Sequence, residues 1–253
     1  MVRQSTKGRD QRLLSKSEQA LVRLVRNKRV APAESRSLSH KAYAALRQAI
    51  QEGVLEASTH LTEVDVAQWL GMSRTPVREA MRRLESEGLL QNEPFRGAVI
   101  VTLGEADIKE LYAVRELLEV EAAGACAERA QPTQIAAMRA LVEDEANRLD
   151  DPRALIDINR RFHQAICDGA HNRFLQKALA TIQSSFALLG KSNLLSPERA
   201  RASHRQHVAL LNAIAARDRK AAEEAARTHV RNSRDYRVRE ARARKTPEGA
   251  GAA

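Results

Sequence analysis

The chain is short of aromatic residues, which fill 3% of its 253 positions. Proteins that grip unpaired bases stack them on aromatic platforms, so single-strand nucleic-acid recognition is excluded as the main activity. Cysteine is scarcer still. Cys126 and Cys167 stand alone, without the paired spacing of a zinc finger or a redox motif. They are expected as buried free thiols in a reducing compartment. No apolar run approaches the roughly 18 residues that span a bilayer. Residues 1–10 are polar and basic and lack the apolar stretch of a secretory signal. A cytoplasmic protein with no membrane partner is expected.

What the chain does have is alanine, leucine, arginine and glutamate in abundance, a helix-forming composition. Apolar residues at 43% and charged residues at 29% are ordinary for a globular protein with a real core. The net charge of +10 is unevenly placed. Residues 1–37 carry net +7 and residues 227–253 net +5, while the stretch between them is close to neutral. Basic tails point to a polyanion, nucleic acid first, with a plain solubilising tail as the alternative. Residues 1–37 are expected as a basic flexible arm with a short amphipathic helix over 15–29, and 245–253 as a disordered tail.

Residues 38–103 read as a compact unit. A first helix over about 39–52 places Tyr43, Leu46 and Ile50 inward. A second runs from Thr62 to Leu70, with Thr62 and Asp65 as a capping box and Gly71 as its stop. A third begins near 73–76 and runs to about Glu87. Pro76 is tolerated there because the first turn has no intrahelical N–H bonds to lose. Leu89–Leu90 and 98–101 then form a two-stranded hairpin. Three helices and a hairpin, with a short glycine-bearing link before the third helix, are the order of a winged helix-turn-helix. Residues 104–244 read as six further helices. The first is capped by Thr102 and Glu105 and runs to about Ala130, and the others cover about 132–149, 152–169, 172–190, 196–216 and 218–244. Short links between them imply an antiparallel bundle. The fold class is therefore mostly α, a winged helix-turn-helix with a small β-hairpin wing plus a six-helix bundle.

The third helix carries the strongest chemical signal. Ser73 and Thr75 offer hydroxyls and backbone N–H groups at a helix N-terminus, which suits phosphate. Arg74 and Arg78 are one turn apart and share a face. Arginine pairs bidentately with guanine in a major groove. Four arginines against one glutamate lie within 73–84. On chemistry alone, a solvated surface face remains the alternative.

Here the chain resembles the GntR family of bacterial transcription regulators. The matching residues are Leu61-Thr62-Glu63, Ala67, Leu70-Gly71, Ser73 to Ala80 (SRTPVREA), Leu84-Glu85, Glu87-Gly88-Leu89 and Arg96-Gly97. Family members often have Pro-Gly in the turn before Leu61. This chain has Ala57-Ser58-Thr59-His60, and Ser and Thr chemistry is expected to keep the turn. The resemblance implies that Arg74 and Arg78 read base edges and that Ser73 and Thr75 hold phosphates. It places Gly97 at a wing tip near the minor groove, with a phosphate contact from Arg96 beside it. Trp69 is read as packing.

The C-terminal region resembles the effector domain of the FadR-like branch, the FCD domain. The likeness rests on Leu111-Tyr112, Arg115-Glu116-Leu117-Leu118-Glu119, Asn159-Arg160-Arg161-Phe162-His163 and the stretch from His207 to His229. Six helices point to the VanR-like subgroup. Helix arithmetic independently suggests a shared site. Asn159 and His163 share one face. His207 precedes the turn at 217–218 by about ten residues and His229 follows it by about eleven, so both lie roughly 15 Å from it. In an antiparallel pair they are neighbours. Three imidazoles and one oxygen suit Zn²⁺, Ni²⁺, Mn²⁺ or Fe²⁺. Unrelated surface histidines are the alternative. Many relatives carry Asp at the position of Asn159, which here supplies a neutral oxygen.

The resemblance further implies a small carboxylate effector, with Arg115 balancing its charge. An Arg115–Glu119 pair at i, i+4 is an equal reading. His204 is placed at the pocket edge, and His40, His60 and His171 at the surface. The expected function is a sequence-specific transcription regulator, most simply a repressor. It is expected to bind a pseudo-palindromic double-stranded operator as a homodimer under effector control. Two alternatives stand beside it. One is a constitutive DNA-binding protein without effector. The other is a metal-dependent hydrolase, disfavoured because no HExxH pattern occurs and Asp157 lies off the Asn159 face.

Overall fold

The structure is a computed structural model and describes residues 37–93, 97–190 and 192–245. The basic arm and its helix over 15–29, Arg96 and the final tail lie outside the described residues. The chain divides into two compact units. Among the described residues, one holds 37–86 with 90–93 and 97–100, and the other holds Glu87–Leu89 and 101–190 with 192–245.

The first unit starts with α1 (Leu38–Gln51), whose N-terminus is closed by the Ser37 hydroxyl accepting from His40 N. Ala42, Leu46, Ala49 and Ile50 form its buried stripe. Tyr43, expected inside, is half-buried instead, and the Arg83 guanidinium stacks 3.8 Å above its ring. The phenol is amphipathic, so a covered face and a wet edge suit it. Strand β1 (His60–Leu61) leads into α2 (Glu63–Leu70). The Thr62 hydroxyl accepts from Asp65 N at 3.1 Å and donates to the Asp65 carboxylate at 2.7 Å. Gly71 ends α2 at φ 63°, the left-handed conformation that releases the chain into the next helix. Helix α3 (Arg74–Ser86) buries Val77, Ala80, Met81 and Leu84 and leaves its arginine-bearing face in solvent.

The wing has one strand more than the sequence indicated. Strands β2 (Leu90–Glu93) and β3 (Gly97–Ile100) pair as expected, and β1 adds to the other side of β3. Two residues have too little periodicity to announce a strand. The segment 57–60 turns with Ser58 at φ 63° and Thr59 N bonded to Glu56 O at 3.1 Å, and backbone bonds from Ser58 N to Ile100 O at 3.0 Å and from Ile100 N to Thr59 O at 3.1 Å tie it to β3. Gly97 sits at φ 86°, and a Cβ there would lie 2.8 Å from Leu61 O. Only glycine lets β1 and β3 approach so closely.

The second unit is six α-helices: α4 (Glu105–Arg129), α5 (Pro132–Ala146), α6 (Pro152–Gly169), α7 (Arg173–Ser185), α8 (Pro197–Ala215) and α9 (Arg219–Lys245). Two 3₁₀ turns, Phe186–Leu189 and Asn193–Leu195, separate α7 from α8. The single helix expected over 172–190 thus tightens after Ser185, ahead of Gly190 at φ 67°. The cap expected from Thr102 and Glu105 falls two residues later. Asp107 accepts from Gly104 N at 2.7 Å, and the helix starts at Glu105. Helix α4 is buried nearly all round from Ala122 to Ala127 and packs against α6, α7, α8 and α9. Small side chains permit this. A Cβ on Gly124 would fall 2.6 Å from the Glu223 carboxylate of α9. The core centres on Met138, Phe162, Leu210 and Ile214. Both cysteines are free and buried. Burial pushes the Cys126 thiol up to about 12 and the Cys167 thiol up to about 11, which makes them poor nucleophiles. Among the described residues no helix is long and apolar enough to cross a membrane.

Candidate functional site

On α3 the side chains of Ser73, Arg74, Thr75 and Arg78 are all exposed, around the helix's first turn. The inward register of Val77, Ala80 and Leu84 fixes this outcome. The two arginines share a partner that the sequence reading quoted only as part of the family match. Arg78 grips Glu63 with Nε at 2.7 Å and Nη2 at 2.8 Å, and Arg74 Nη2 reaches the same carboxylate at 3.3 Å. Arg78 in particular holds the Glu63 carboxyl below its ordinary value. Gly97 begins β3, and Trp69 is half-buried on α2.

In the helical unit the three histidines come together from three helices. Each sits on the inward stripe of its helix. His163 follows Leu155, Ile158 and Phe162 on α6. His207 lies between Ser203 and Leu210 on α8. His229 lies beside Val230 on α9 and is 3% exposed. The ring centroids of His207 and His229 are 4.8 Å apart, and His163 lies 5.4 Å from the first and 5.1 Å from the second. One candidate ligand atom from each falls within 4.8 Å of the others. Asn159 is half-buried, one turn before His163 on α6.

Each imidazole is held through Nδ1. Glu145 accepts from His207 Nδ1 at 2.9 and 3.0 Å through its two oxygens. Gln206 Oε1 accepts from His229 Nδ1 at 3.0 Å. The Glu119 carboxylate lies 3.4 Å from His163 Nδ1. None of these acceptors has a proton to give, so a proton sits on each Nδ1, and Nε2 is the atom a neutral ring has free for an ion. His163 Nε2 is buried with no hydrogen-bond partner. The remaining polar contact is weak, Ser203 Oγ at 3.4 Å from His207 Nε2. Burial, above all, holds His207 below and His229 well below the ordinary histidine value, so both rings are neutral at pH 7. Burial works against ionisation of Glu145, but hydrogen bonds from His207 and His204 outweigh it and keep the carboxyl below its usual range. Glu119 is buried too, yet Arg115 and His163 hold its carboxyl well below that range. Neutral imidazoles with fixed tautomers and an orphaned, buried lone pair fit a divalent metal ion.

The other expected site residues are placed as follows. Arg115 pairs with Glu119 at 2.6 Å, the i, i+4 partner. His204 Nδ1 bonds Glu145 at 3.0 Å and lies behind His207. His171 is exposed and bonds Gln134, and His60 is exposed beside Glu93. Asp157, the one carboxylate considered as a hydrolytic base, is exposed and bound to Arg160 at 2.6 Å. Glu145 and Gln206, and the place of Glu119 at the histidines, are not expected from the sequence. Glu145 had a signal. It continues the Met138–Val142 stripe of α5, where a lone acid among buried apolar positions requires a partner. A small cavity opens beside the histidines, walled by Ala122, Ala123, Leu179 and Ala226, with Glu119, His163 and His229 also lining it.

A winged helix-turn-helix with an exposed arginine face, followed by a helical unit with an internal polar centre, defines a DNA-binding regulator. Residues 38–100 match the bacterial regulatory proteins of the gntR family, and residues 110–232 match the FCD domain. The chain is 37% identical over 131 residues to an uncharacterised HTH-type transcriptional regulator of Agrobacterium vitis, covering 49% of this chain and 76% of that one. It is 30% identical over 159 residues to the Nta operon transcriptional regulator of Aminobacter aminovorans, covering 62% of this chain and 74% of the relative. The solved structure of E. coli McbR/YncC shares the fold, with TM-score 0.68 and 24% identity, covering 81% of this chain and 99% of that one. The chain belongs to the gntR family and carries an FCD domain. It is a transcription regulator, not an enzyme. Regulators of this family bind DNA operators, and FCD domains bind small-molecule effectors.

Proposed function

We propose that the protein is a homodimeric repressor of the VanR-like subgroup, released from its operator by a small carboxylate bound at a metal centre. Residues 38–103 are the reading head. Arg74 and Arg78 pair with guanine edges, Ser73 and Thr75 anchor phosphates, and Gly97 with Arg96 forms the wing contact. Residues 104–244 are the effector and dimerisation domain, and the basic arm over 1–37 adds sequence-independent phosphate contacts. His163, His207 and His229 hold the ion, with Asn159 as an oxygen ligand. A bound divalent ion would supply a positive, Lewis-acidic point for the effector carboxylate. The chain's own contribution is to fix the three imidazoles through Glu119, Glu145 and Gln206, while burial keeps His207 and His229 neutral. The single observation that carries this reading is the buried, unpartnered His163 Nε2 beside two rings whose Nδ1 atoms are likewise committed. Control of DNA affinity then requires that the effector bind two arrangements of the heads with different affinity.

The test is thermal melting of the purified chain, chelated and then restored with Zn²⁺, Ni²⁺ or Mn²⁺, against a panel of small carboxylates. Stabilisation by a carboxylate only in the metal-loaded form is the expected result. His207→Ala is expected to lose both metal and the carboxylate shift while still binding operator. A full carboxylate response in that variant would refute the metal centre. Sedimentation of the same samples tests the dimer.

A further inference from the structure

Arg199 stands in the first turn of α8 and is 6% exposed. Its Nε is buried with no hydrogen-bond partner. Its Nη1 reaches a neutral acceptor, Gln206 Oε1, at 3.4 Å. Among the described residues no carboxylate pairs with it, and the cations Arg115 and Arg237 both act on it electrostatically. Those two are compensated. Arg115 pairs with Glu119 at 2.6 Å and Arg237 with Glu240 at 3.0 Å. Burial, and then the two neighbouring arginines, work against the charge on Arg199, which is held below the ordinary guanidinium value. A buried charge without a counter-ion is costly to keep.

The position of this arginine relates it to the histidines. Gln206 Oε1 accepts from Arg199 and from His229 Nδ1 at once, so one amide joins the guanidinium to the triad. Neutral hydroxyls lie close by. The phenols of Tyr112 and Tyr236 both favour the charge on Arg199, and the Tyr112 hydroxyl is 3.1 Å from Ser233 Oγ. Charge balance then sets the ligand class. Arg115 and Arg237 are each paired with a glutamate, whereas Arg199 has no pair and is offset only in the overall sum by Glu145, which is bound to His207 and His204. A divalent ion on neutral histidines leaves two positive charges over, which a dianion cancels and a monoanion does not.

We infer that Arg199 is the receptor for a second acidic group of the effector, and that the effector is a small dicarboxylate bridging the histidine centre and this guanidinium. The inference rests on the reading of the helical unit as a metal-dependent effector domain.

The experiment compares matched pairs on the metal-loaded full chain by calorimetry and melting. Dicarboxylates from malonate to adipate are set against monocarboxylates of equal length, such as succinate against butyrate. At least one dicarboxylate is expected to bind about tenfold to a hundredfold more tightly than its partner, the range of one charge-assisted contact. Arg199→Met is expected to remove that preference while leaving metal content unchanged. Without ligand, the variant is expected to melt no lower than the parent, because the charge it removes is buried without a counter-ion and gives up only a 3.4 Å bond to a neutral amide. Equal affinity for both series overturns the inference with no variant needed, and if that binding is lost on chelation the proposed function stands. A preference that survives Arg199→Met also overturns it. If neither series binds, the effector reading fails and the inference falls with it.

Discussion

Replacing Glu145 by Gln tests how the candidate metal centre is held. Glu145 is 2% exposed, and both its oxygens lie within 3.0 Å of His207 Nδ1. One of them also meets His204 Nδ1 at 3.0 Å. The amide keeps the shape and one carbonyl oxygen, so His207 retains an acceptor and its tautomer. What disappears is the negative charge that strengthens the bond and makes Nε2 a better donor to a metal. A hydrogen bond to a charged group is worth about 1.5–3 kcal/mol and a neutral one about 1 kcal/mol. The difference, about 0.5–2 kcal/mol, corresponds to a loss of metal affinity of roughly two- to thirtyfold. Partners that orient metal-bound histidines typically cost about 10–100-fold when changed, so the expected loss lies toward the upper end, near tenfold. The assay is competition for Zn²⁺ against a chromophoric chelator, with operator binding measured in parallel as a control for folding. An affinity unchanged within twofold, in a variant that still loses metal on His207→Ala, would refute the argument that the carboxylate tunes this imidazole.

Three further outcomes are expected. Arg74→Ala should weaken operator binding by about 1–3 kcal/mol, the worth of a bidentate guanine contact, and weaken random duplex far less; fluorescence anisotropy with both duplexes checks it, and equal losses would refute base reading. Glu63→Gln removes a carboxylate from the reading face, so affinity for random duplex should rise while the operator-to-random ratio falls. Its effect on stability should stay within about 1 kcal/mol, because the pairs are solvent-exposed. Acid should destabilise the metal-free protein. His207 and His229 are held below the ordinary histidine value of about 6.5, so below that pH the unfolded chain binds protons that the folded one refuses. Stability lost there is followed, below 4.5, by the stabilisation that ionised Glu145 contributes as its depressed carboxyl protonates. Urea unfolding at pH 7.5, 6 and 5 reads the trend, and flat stability across that range would contradict it.

The parts of the fold that were legible in the sequence are those that repeat. The Leu155–Ile158–Phe162–Ile166 stripe marks α6 unaided, and Asp151 and Pro152 mark its start. The winged head was legible because Thr62, Gly71 and Pro76 punctuate it. What escaped was short or set by tertiary contact. Strand β1 is two residues long and exists only because β3 offers it an edge. The end of α7 at Ser185 reflects a tightening into 3₁₀ geometry that the continuing apolar residues Phe186, Leu188 and Leu189 concealed. At the site, the histidines announced themselves by spacing from a common turn. Their supports did not, because Glu145 and Glu119 come from other helices and acquire meaning only when α4 and α5 are packed against α6 and α8.

That division has a physical cause. Ligands to a shared centre must sit at matching heights on adjoining helices, and matching heights are visible as counts along the chain. The groups that fix their tautomers need only reach Nδ1 from whatever direction remains open. Here they come from α4, α5 and α8 itself, with side chains that are acidic in two cases and neutral in the third. The mixture matters. Three amides in these places would leave the imidazoles weaker donors to an ion. Gln206 at His229 is also the group that admits Arg199, since its oxygen serves both donors. A glutamate in its place would pair with Arg199 and neutralise it, closing the position argued to be kept for a ligand's second acid. Gln206→Glu is therefore expected to abolish dicarboxylate preference while preserving metal, and calorimetry on that variant would refute the assignment if the preference survived.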